Sequence, residues 1–436
     1  MTSPLRAVTD HARNTIRAIR RARRERRAAL CRTRLGAAPV IAVTGSASKT
    51  TTVKLLAHLL GGPPRVGVSL FANTARDVLS QFATVGPDTS AVVVEASEFP
   101  VGNLERTASS LRPTVAVLTI SGLDHYTQFR GAAGAAREMA TLARLVPADG
   151  LVVVNADDEH LRSAVTDVGG AVVTFGLHAD AEYRAVECVE GHDHRLVVLC
   201  RHGADTVRLE TPFLGRHFHV TTLAAVATAH RLGIPWPEIQ SRLASFEPVF
   251  GRCSLLAIPD GPLFICDTIK SPAWSIQSSI ETLDLFADAP RRTFILGTIS
   301  DYPGSSRITY RRAWRHANLR VDRAIFLRHS PSHVGASAAD VENGRTIFLQ
   351  SVERITSLVE STAIPGEVIL LKGSSLADHL DRIAHDFLAP VACWRDKCGR
   401  NMNCINCEWM RDRTPSALRP LRRLQHKLSG RRRIHG

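Results

Sequence analysis

The chain has 436 residues, 44% hydrophobic and 22% charged, which is long enough for two or three cored domains and too apolar for a disordered chain. No apolar run reaches the roughly 18 residues of a membrane span, and no short apolar stretch with a small-residue cleavage site marks a secretory signal, so the expected compartment is the cytosol. The net charge of +14 sits at the ends, with eleven arginines against two acids in residues 1–38 and twelve Lys or Arg against three acids in residues 391–436.

The segment 14–34 can form a basic helix, but it lacks a strong apolar face for membrane insertion. Such ends suit contact with nucleic acid, anionic lipid or an acidic partner, or simply solvated arms. The first strand is expected at Pro39–Val43, running into Thr44-Gly45, and a helix at Lys49–Leu60 with apolar residues Val53, Leu55, Leu56 and Leu59. Ala91–Val94, Val115–Leu118 and Leu151–Asn155 read as buried strands, with a helix over Arg137–Leu145. Residues 172–213 alternate like antiparallel strands, with Arg195–Leu199 and Thr206–Leu209 as examples. Helices are expected at Thr221–Leu232 and Pro235–Ser245. A second α/β pattern then places strands at Leu263–Asp267, Thr293–Leu296, Arg323–Leu327 and Val368–Lys372. Buried strands alternating with helices imply parallel sheets. The expected fold is α/β: a phosphate-loop central domain with a mostly parallel sheet, plus a smaller Rossmann-like C-terminal domain. The expected divisions are a basic segment at 1–38, the central domain at 39–249, the C-terminal domain at 250–390 and a Cys-rich, basic tail at 391–436.

The strongest local signal is Val43-Thr44-Gly45-Ser46-Ala47-Ser48-Lys49-Thr50-Thr51-Thr52, lying between an apolar strand and an amphipathic helix. That is the setting of a phosphate loop. The helix N-terminus offers free N–H groups and a positive dipole end. Lys49 can reach the β- and γ-phosphates, and the Thr50 hydroxyl can hold Mg²⁺, with Thr51 beside it. Gly usually precedes the lysine, where backbone must take a positive φ or approach a phosphate closely; here Ser48 stands there.

The loop resembles the Thr-Gly-x-x-Gly-Lys-Thr/Ser-Thr loop of the Mur ligase family, which includes the peptidoglycan amino-acid ligases, folylpolyglutamate synthase and the C-terminal part of cyanophycin synthetase. Further matches follow in the family's order. Val92-Val93-Val94-Glu95 resembles the strand ending in a magnesium-binding Glu, and Leu118-Thr119 through Asp124-His125 the segment whose His holds a second metal. Val153-Val154-Asn155-Ala156-Asp157-Asp158 resembles the strand ending in Asn-x-Asp-Asp. Gly215-Arg216-His217 with Leu223-Ala224-Ala225 resembles the helix start near the adenine. Gly251-Arg252 resembles the pair opening the C-terminal domain, Asp267 with Ser271-Pro272 the segment whose Asp contacts the ribose, and Leu371-Lys372-Gly373-Ser374 a late Lys-Gly-Ser motif.

The resemblance implies an ATP-dependent ligase that makes an acyl phosphate from a carboxylate and passes the acyl group to an amine. No protein nucleophile is needed, so catalysis is positioning and charge neutralisation. On this reading Gly45, Ser46, Ala47, Ser48, Lys49, Thr50, Thr51, His217, Arg252 and Asp267 bind ATP. Thr50, Glu95 and His125 hold Mg²⁺, and Lys49, Glu95 and His125 act in catalysis. The second domain would close on the nucleotide through Arg252 and Asp267. In the bland alternative Glu95 is a cap or ion-pair partner, His125 a structural histidine and Asp267 a turn cap.

The chain also departs from the pattern. Met139 stands where the family carries a metal-bridging lysine, and Glu138 beside it is a candidate carboxylate in that lysine's place. Phe218 and Thr221 replace two asparagines near the adenine, and Lys270 a common histidine. No UDP-sugar domain precedes the loop, which favours a small or carrier-bound carboxylate over a standard peptidoglycan precursor.

Cys393, Cys398, Cys404 and Cys407 follow C-x4-C-x5-C-x2-C spacing. Four close thiols in a cytosolic protein suggest a metal site, with zinc and an iron–sulfur cluster as candidates, or else paired or unliganded thiols. The tail they occupy is a candidate surface for a partner protein. Two further readings compete with the ligase: a degenerate nucleotide-binding scaffold or regulatory subunit, motivated by Ser48 and the absent lysine, and a disfavoured nucleic-acid-associated ATPase, motivated by the basic ends alone.

Overall fold

The computed structural model describes residues 4–71, 74–123, 126–396, 398–400 and 403–411. The chain forms two compact units. The first comprises Met1–Ser254, Pro272–Ala287 and Asp301–Thr309, and the second Leu255–Ser271, Asp288–Ser300 and Tyr310–Gly436. No helix among the described residues is long and apolar enough to cross a membrane.

The first unit begins with α1 (Pro4–Arg34), β1 (Val40–Thr44), α2 (Lys49–Leu59), β2 (Val66–Ser69), α3 (Ala75–Phe82), β3 (Ala91–Glu95), α4 (Asn103–Leu111) and β4 (Val115–Leu118). It continues through α5 (Tyr126–Phe129), α6 (Ala132–Arg144), β5 (Leu151–Asn155), α7 (Glu159–Ala164), β6 (Ala171–Gly176), β7 (Tyr183–Glu190), β8 (Leu196–His202), β9 (Asp205–Glu210), α8 (His219–Arg231) and α9 (Trp236–Ala244). The nine strands lie in the order β2-β3-β1-β4-β5-β6-β7-β8-β9.

Strands β1, β3, β4 and β5 are wholly buried, because helices cover both faces of this part of the sheet. Ile41, Val43, Val93 and Val117 pack under α2 and α8, whereas Val40, Ala42, Val92 and Ala116 pack under α3, α4 and α6. A strand buried on both sides is apolar along its length up to its last residue, and so reads as a nearly unbroken run. The antiparallel part starts later than the alternation suggested. β6 still pairs parallel with β5, Leu151 against Ala171. β7 joins β6 through only Phe175↔Tyr183 and Gly176↔Arg184, then turns antiparallel to β8 and β8 to β9. The first residues of β6 are exposed, which gave it the alternation of a half-covered strand.

The expected basic helix is α1. Its last turns bury Ala28 and Cys31 with the following Leu35, alongside Val78, Leu79, Phe82, Leu104 and Ala108 of α3 and α4. Cys31 Sγ donates to the Phe82 carbonyl at 3.2 Å. Residues 13–23 of the same helix are exposed.

The second unit carries β10 (Ser254–Ala257), β11 (Leu263–Asp267), β12 (Arg292–Leu296), β13 (Arg323–Leu327), β14 (Thr346–Leu349) and β15 (Val368–Lys372), in the order β10-β11-β15-β12-β13-β14. From β11 to β14 the neighbours are all parallel, an open sheet of the doubly wound kind.

Candidate nucleotide site

The loop between β1 and α2 stands at the C-terminal end of a central strand, where open α/β sheets bind ligands. Its shape is set by the segment 119–122 that follows β4. Ser46 N donates to the Ile120 carbonyl at 2.7 Å, Thr119 Oγ1 donates to Ala47 O at 2.6 Å, and Gly122 N donates to Ser46 Oγ at 2.9 Å. Asn155 Nδ2 in turn donates to Thr119 O at 2.8 Å. Gly45 has φ of 147°, and a Cβ there would lie 2.0 Å from Thr119 Oγ1, so no larger residue fits. Ser48 does take the left-handed backbone expected at the usual glycine, with φ of 66°.

Lys49, Thr50 and Glu95 come together. Thr50 Oγ1 donates to Glu95 Oε2 at 2.9 Å, and Phe71 N donates to the same oxygen at 3.1 Å. Thr50, Thr51 and Glu95 are buried. The Lys49 ammonium donates to the Gly45 carbonyl and pairs with Glu98 Oε2 at 3.1 Å. Glu98 is 1% exposed. It escaped notice in the sequence, where its only signal is a position three residues beyond Glu95.

A recess of about 810 Å³ flanks the loop, lined among others by Ser121, Asn155, Asp157, His178 and His219. Asp158 caps α7 by accepting from Leu161 N and also accepts from Ser121 N at 2.6 Å. Burial pushes the Asp157 carboxyl up, but His219 and the N–H groups of Leu177 and His178 outweigh it and hold it below its ordinary value. His219, which sequence reasoning did not single out, therefore forms part of this wall. His217 is half-buried and lies against Phe218, with ring centroids 4.5 Å apart.

The Mur ligase middle domain profile matches residues 43–229, the span that builds this site. The UDP-N-acetylmuramoyl-tripeptide--D-alanyl-D-alanine ligase of Synechocystis is 25% identical over 343 residues, 77% of this chain and 72% of that protein. The UDP-N-acetylmuramoylalanine--D-glutamate ligase of Dinoroseobacter shibae is 27% identical over 381 residues, 81% of this chain and 73% of that one. The chain is a Mur ligase family member. Its activity class is ATP-dependent formation of an amide bond. The fold agrees: MurF from Acinetobacter baumannii superposes with a TM-score of 0.72 at 20% identity, covering 84% of this chain and 80% of that one. MurF from Thermotoga maritima in complex with ADP gives 0.72 at 19% identity, covering 84% of each.

The remaining expected residues of this Mur ligase are placed as follows. His125 lies outside the described residues. Arg252 belongs to the first unit, where its N–H donates to Val249 O at 3.1 Å. Asp267 ends β11 in the second unit and pairs with the buried Lys372 at 2.5 Å. Met139 is fully buried in the apolar core behind the sheet. Glu138 accepts from Gly102 N at 2.9 Å, at the start of α4. Burial raises its carboxyl above the ordinary value, against the lowering effect of the Gly102 and Leu104 N–H groups. The carboxylate beside Lys49 is Glu98, and Glu138 serves the end of a helix.

The tail cysteines are free thiols. His379 Nδ1 lies 3.4 Å from Cys404 Sγ and its Nε2 lies 3.7 Å from Cys398 Sγ. Arg382 donates to Cys404 Sγ at 3.3 Å, and Arg400 to Cys407 Sγ at 3.4 Å. Burial pushes the Cys404 thiol up to about 12 and the His379 imidazole down to about 4. One ring takes the two thiols on opposite nitrogens, so a single ion could not join all three in this arrangement. Among the described residues no group of three or more His, Cys, Asp or Glu is arranged to hold a metal.

Proposed function

We propose that the protein phosphorylates a small or carrier-bound carboxylate with ATP and transfers the resulting acyl group to an amine. The observation that carries this reading is the meeting of Lys49, Thr50 and Glu95 at one helix N-terminus. The donor set suits magnesium: a hydroxyl and a carboxylate, both hard oxygens, leave room for phosphate oxygens and water, the usual company of this ion. Thr50 and Glu95 would hold it, with His125 as a candidate for a second ion. A bound ion would neutralise charge on the phosphates. Lys49 would draw off negative charge from the γ-phosphoryl group during transfer. The backbone N–H groups at the start of α2 would cradle the phosphates. The recess walled by Asn155, Asp157 and His219 would take the base, and Arg252 and Asp267 would engage the nucleotide during turnover.

Both enzymes named above act on UDP-N-acetylmuramoyl substrates. The test is acyl-phosphate trapping. With ATP, Mg²⁺ and a panel of acids, hydroxylamine should yield a hydroxamate and stoichiometric ADP, and Lys49→Ala should lower the rate by about 100-fold or more, the scale of losing one charge stabiliser. A protein that binds ADP but never forms hydroxamate with any acid would instead be the scaffold of the second reading, which the buried Met139 favours.

A further inference from the structure

The pairing of Lys49 with Glu98 raises a problem of charge that the nucleotide reading above does not resolve. Glu98 is 1% exposed, and its ion-pair partner is the one lysine that must swing onto phosphate. Its backbone is fixed: Asn103 Nδ2 donates to Ser97 O at 2.7 Å, Asn103 Oδ1 accepts from Ala75 N at 2.9 Å, and Ser97 Oγ accepts from Phe99 N at 3.2 Å. The residues on either side of Glu98 are thus tied in place, which keeps its backbone beside the loop when Lys49 moves. Once the ammonium leaves, a carboxylate remains buried and unpaired beside an incoming polyanion, which is strongly unfavourable. Glu95 cannot relieve it, since it is a second carboxylate satisfied by the neutral donors Thr50 and Phe71. An incoming cation restores the balance, and a hard divalent ion matches a carboxylate oxygen.

We propose that Glu98 is a cation-exchange residue: Lys49 neutralises it before nucleotide arrives, and the divalent ion accompanying the nucleotide takes the place of Lys49. This rests on the nucleotide reading, and it assigns to this chain a second metal-facing carboxylate three residues beyond Glu95. No covalent step is involved; one ion pair is exchanged for another.

Two measurements decide it. In titrations of ADP, Mg²⁺ should tighten binding to the native protein by about tenfold or more, within the usual range of coupling between two ligands. Glu98→Gln should cut that enhancement several-fold while tightening metal-free ADP binding, because Lys49 no longer has to leave a counter-ion; Glu98→Asp should keep the enhancement. The second measurement needs no nucleotide. Lys49→Met strands Glu98, so this variant should bind Mn²⁺ by electron paramagnetic resonance and gain Tm with it, and the Lys49→Met/Glu98→Gln double variant should do neither. Equal Mg²⁺ enhancement in native protein and Glu98→Gln, or equal Mn²⁺ binding by the single and double Lys49 variants, overturns the exchange. If native protein binds no ADP at millimolar levels while the Mn²⁺ results hold, the nucleotide reading fails and the carboxylate stands as a cation site on its own.

Discussion

Ser48 carries a side chain at a backbone angle that glycine adopts freely, with φ of 66°. A left-handed residue with a Cβ costs roughly 1–2 kcal/mol, part of which glycine returns through its greater freedom in the unfolded chain. Ser48→Gly should therefore stabilise the first unit by about 0.5–1 kcal/mol, read as a higher urea midpoint at unchanged slope. Loss of stability would show that the serine hydroxyl makes up for the strain. Gly45 has no such latitude, because Thr119 Oγ1 occupies the space of its missing side chain. The sequence made both positions legible through the spacing of the loop alone. It could not reveal Glu98 or His219, whose importance comes from which residues fold against them: Lys49 from 49 positions away, and Asp157 from 62.

Among the elements, legibility followed burial. The strands at Val115–Leu118, Leu151–Asn155, Leu263–Asp267, Arg323–Leu327 and Val368–Lys372 stand where their apolar runs put them, since a strand covered on both faces is apolar through its middle and polar at most at an end. Three short strands gave no such signal. β2 and β14 are terminal in their sheets, and β10 ends the other edge of the second; each has two or three positions that are not fully buried, as sheet edges generally do. Helix α1 is the converse case. Its charge was plain, but its anchorage was not, because among its residues of described burial only Ala28 and Cys31, with Leu35 just after it, are buried apolar side chains. Leu35→Ala should destabilise the first unit by about 2–3 kcal/mol through the cavity left beside α3 and α4. A thermal melt unchanged by that substitution would mean that the Leu35 side chain contributes nothing to the core.

At the scale of the whole molecule the two units differ in their response to acid. His329 and His385, both in the second unit, are pushed down to about 4 by burial, with His333 and Arg411 respectively adding to the effect. Because the unfolded chain takes up these protons first, near the ordinary value of 6.5, the stability they contribute is complete above pH 6.5. It is lost as pH falls through about 4. Hydrogen exchange, corrected for its intrinsic pH dependence, should show β12 and β13 losing protection over that window. In the first unit burial, with His202 and Arg231 adding to it, lowers His230 as well, but the pairing of Asp157 with His219 holds that carboxyl below its ordinary 3.8, so its contribution survives to lower pH and the first unit should lose less. Equal loss of protection in both sheets between pH 6.5 and 4 would refute this difference.

The hold of Arg382 on the tail bears on how the enzyme can be shortened. Its guanidinium reaches the sulfur of Cys404 and the carbonyl of Arg395, and the neighbouring Asp381 accepts from the Cys404 backbone. Ending the polypeptide after Pro390 would take away every one of these acceptors and donors at once, baring a cation and a carboxyl that are otherwise sealed from water. The stretch up to Arg411 is thus a plug for the second sheet's flank, and any minimal catalytic fragment would have to keep it.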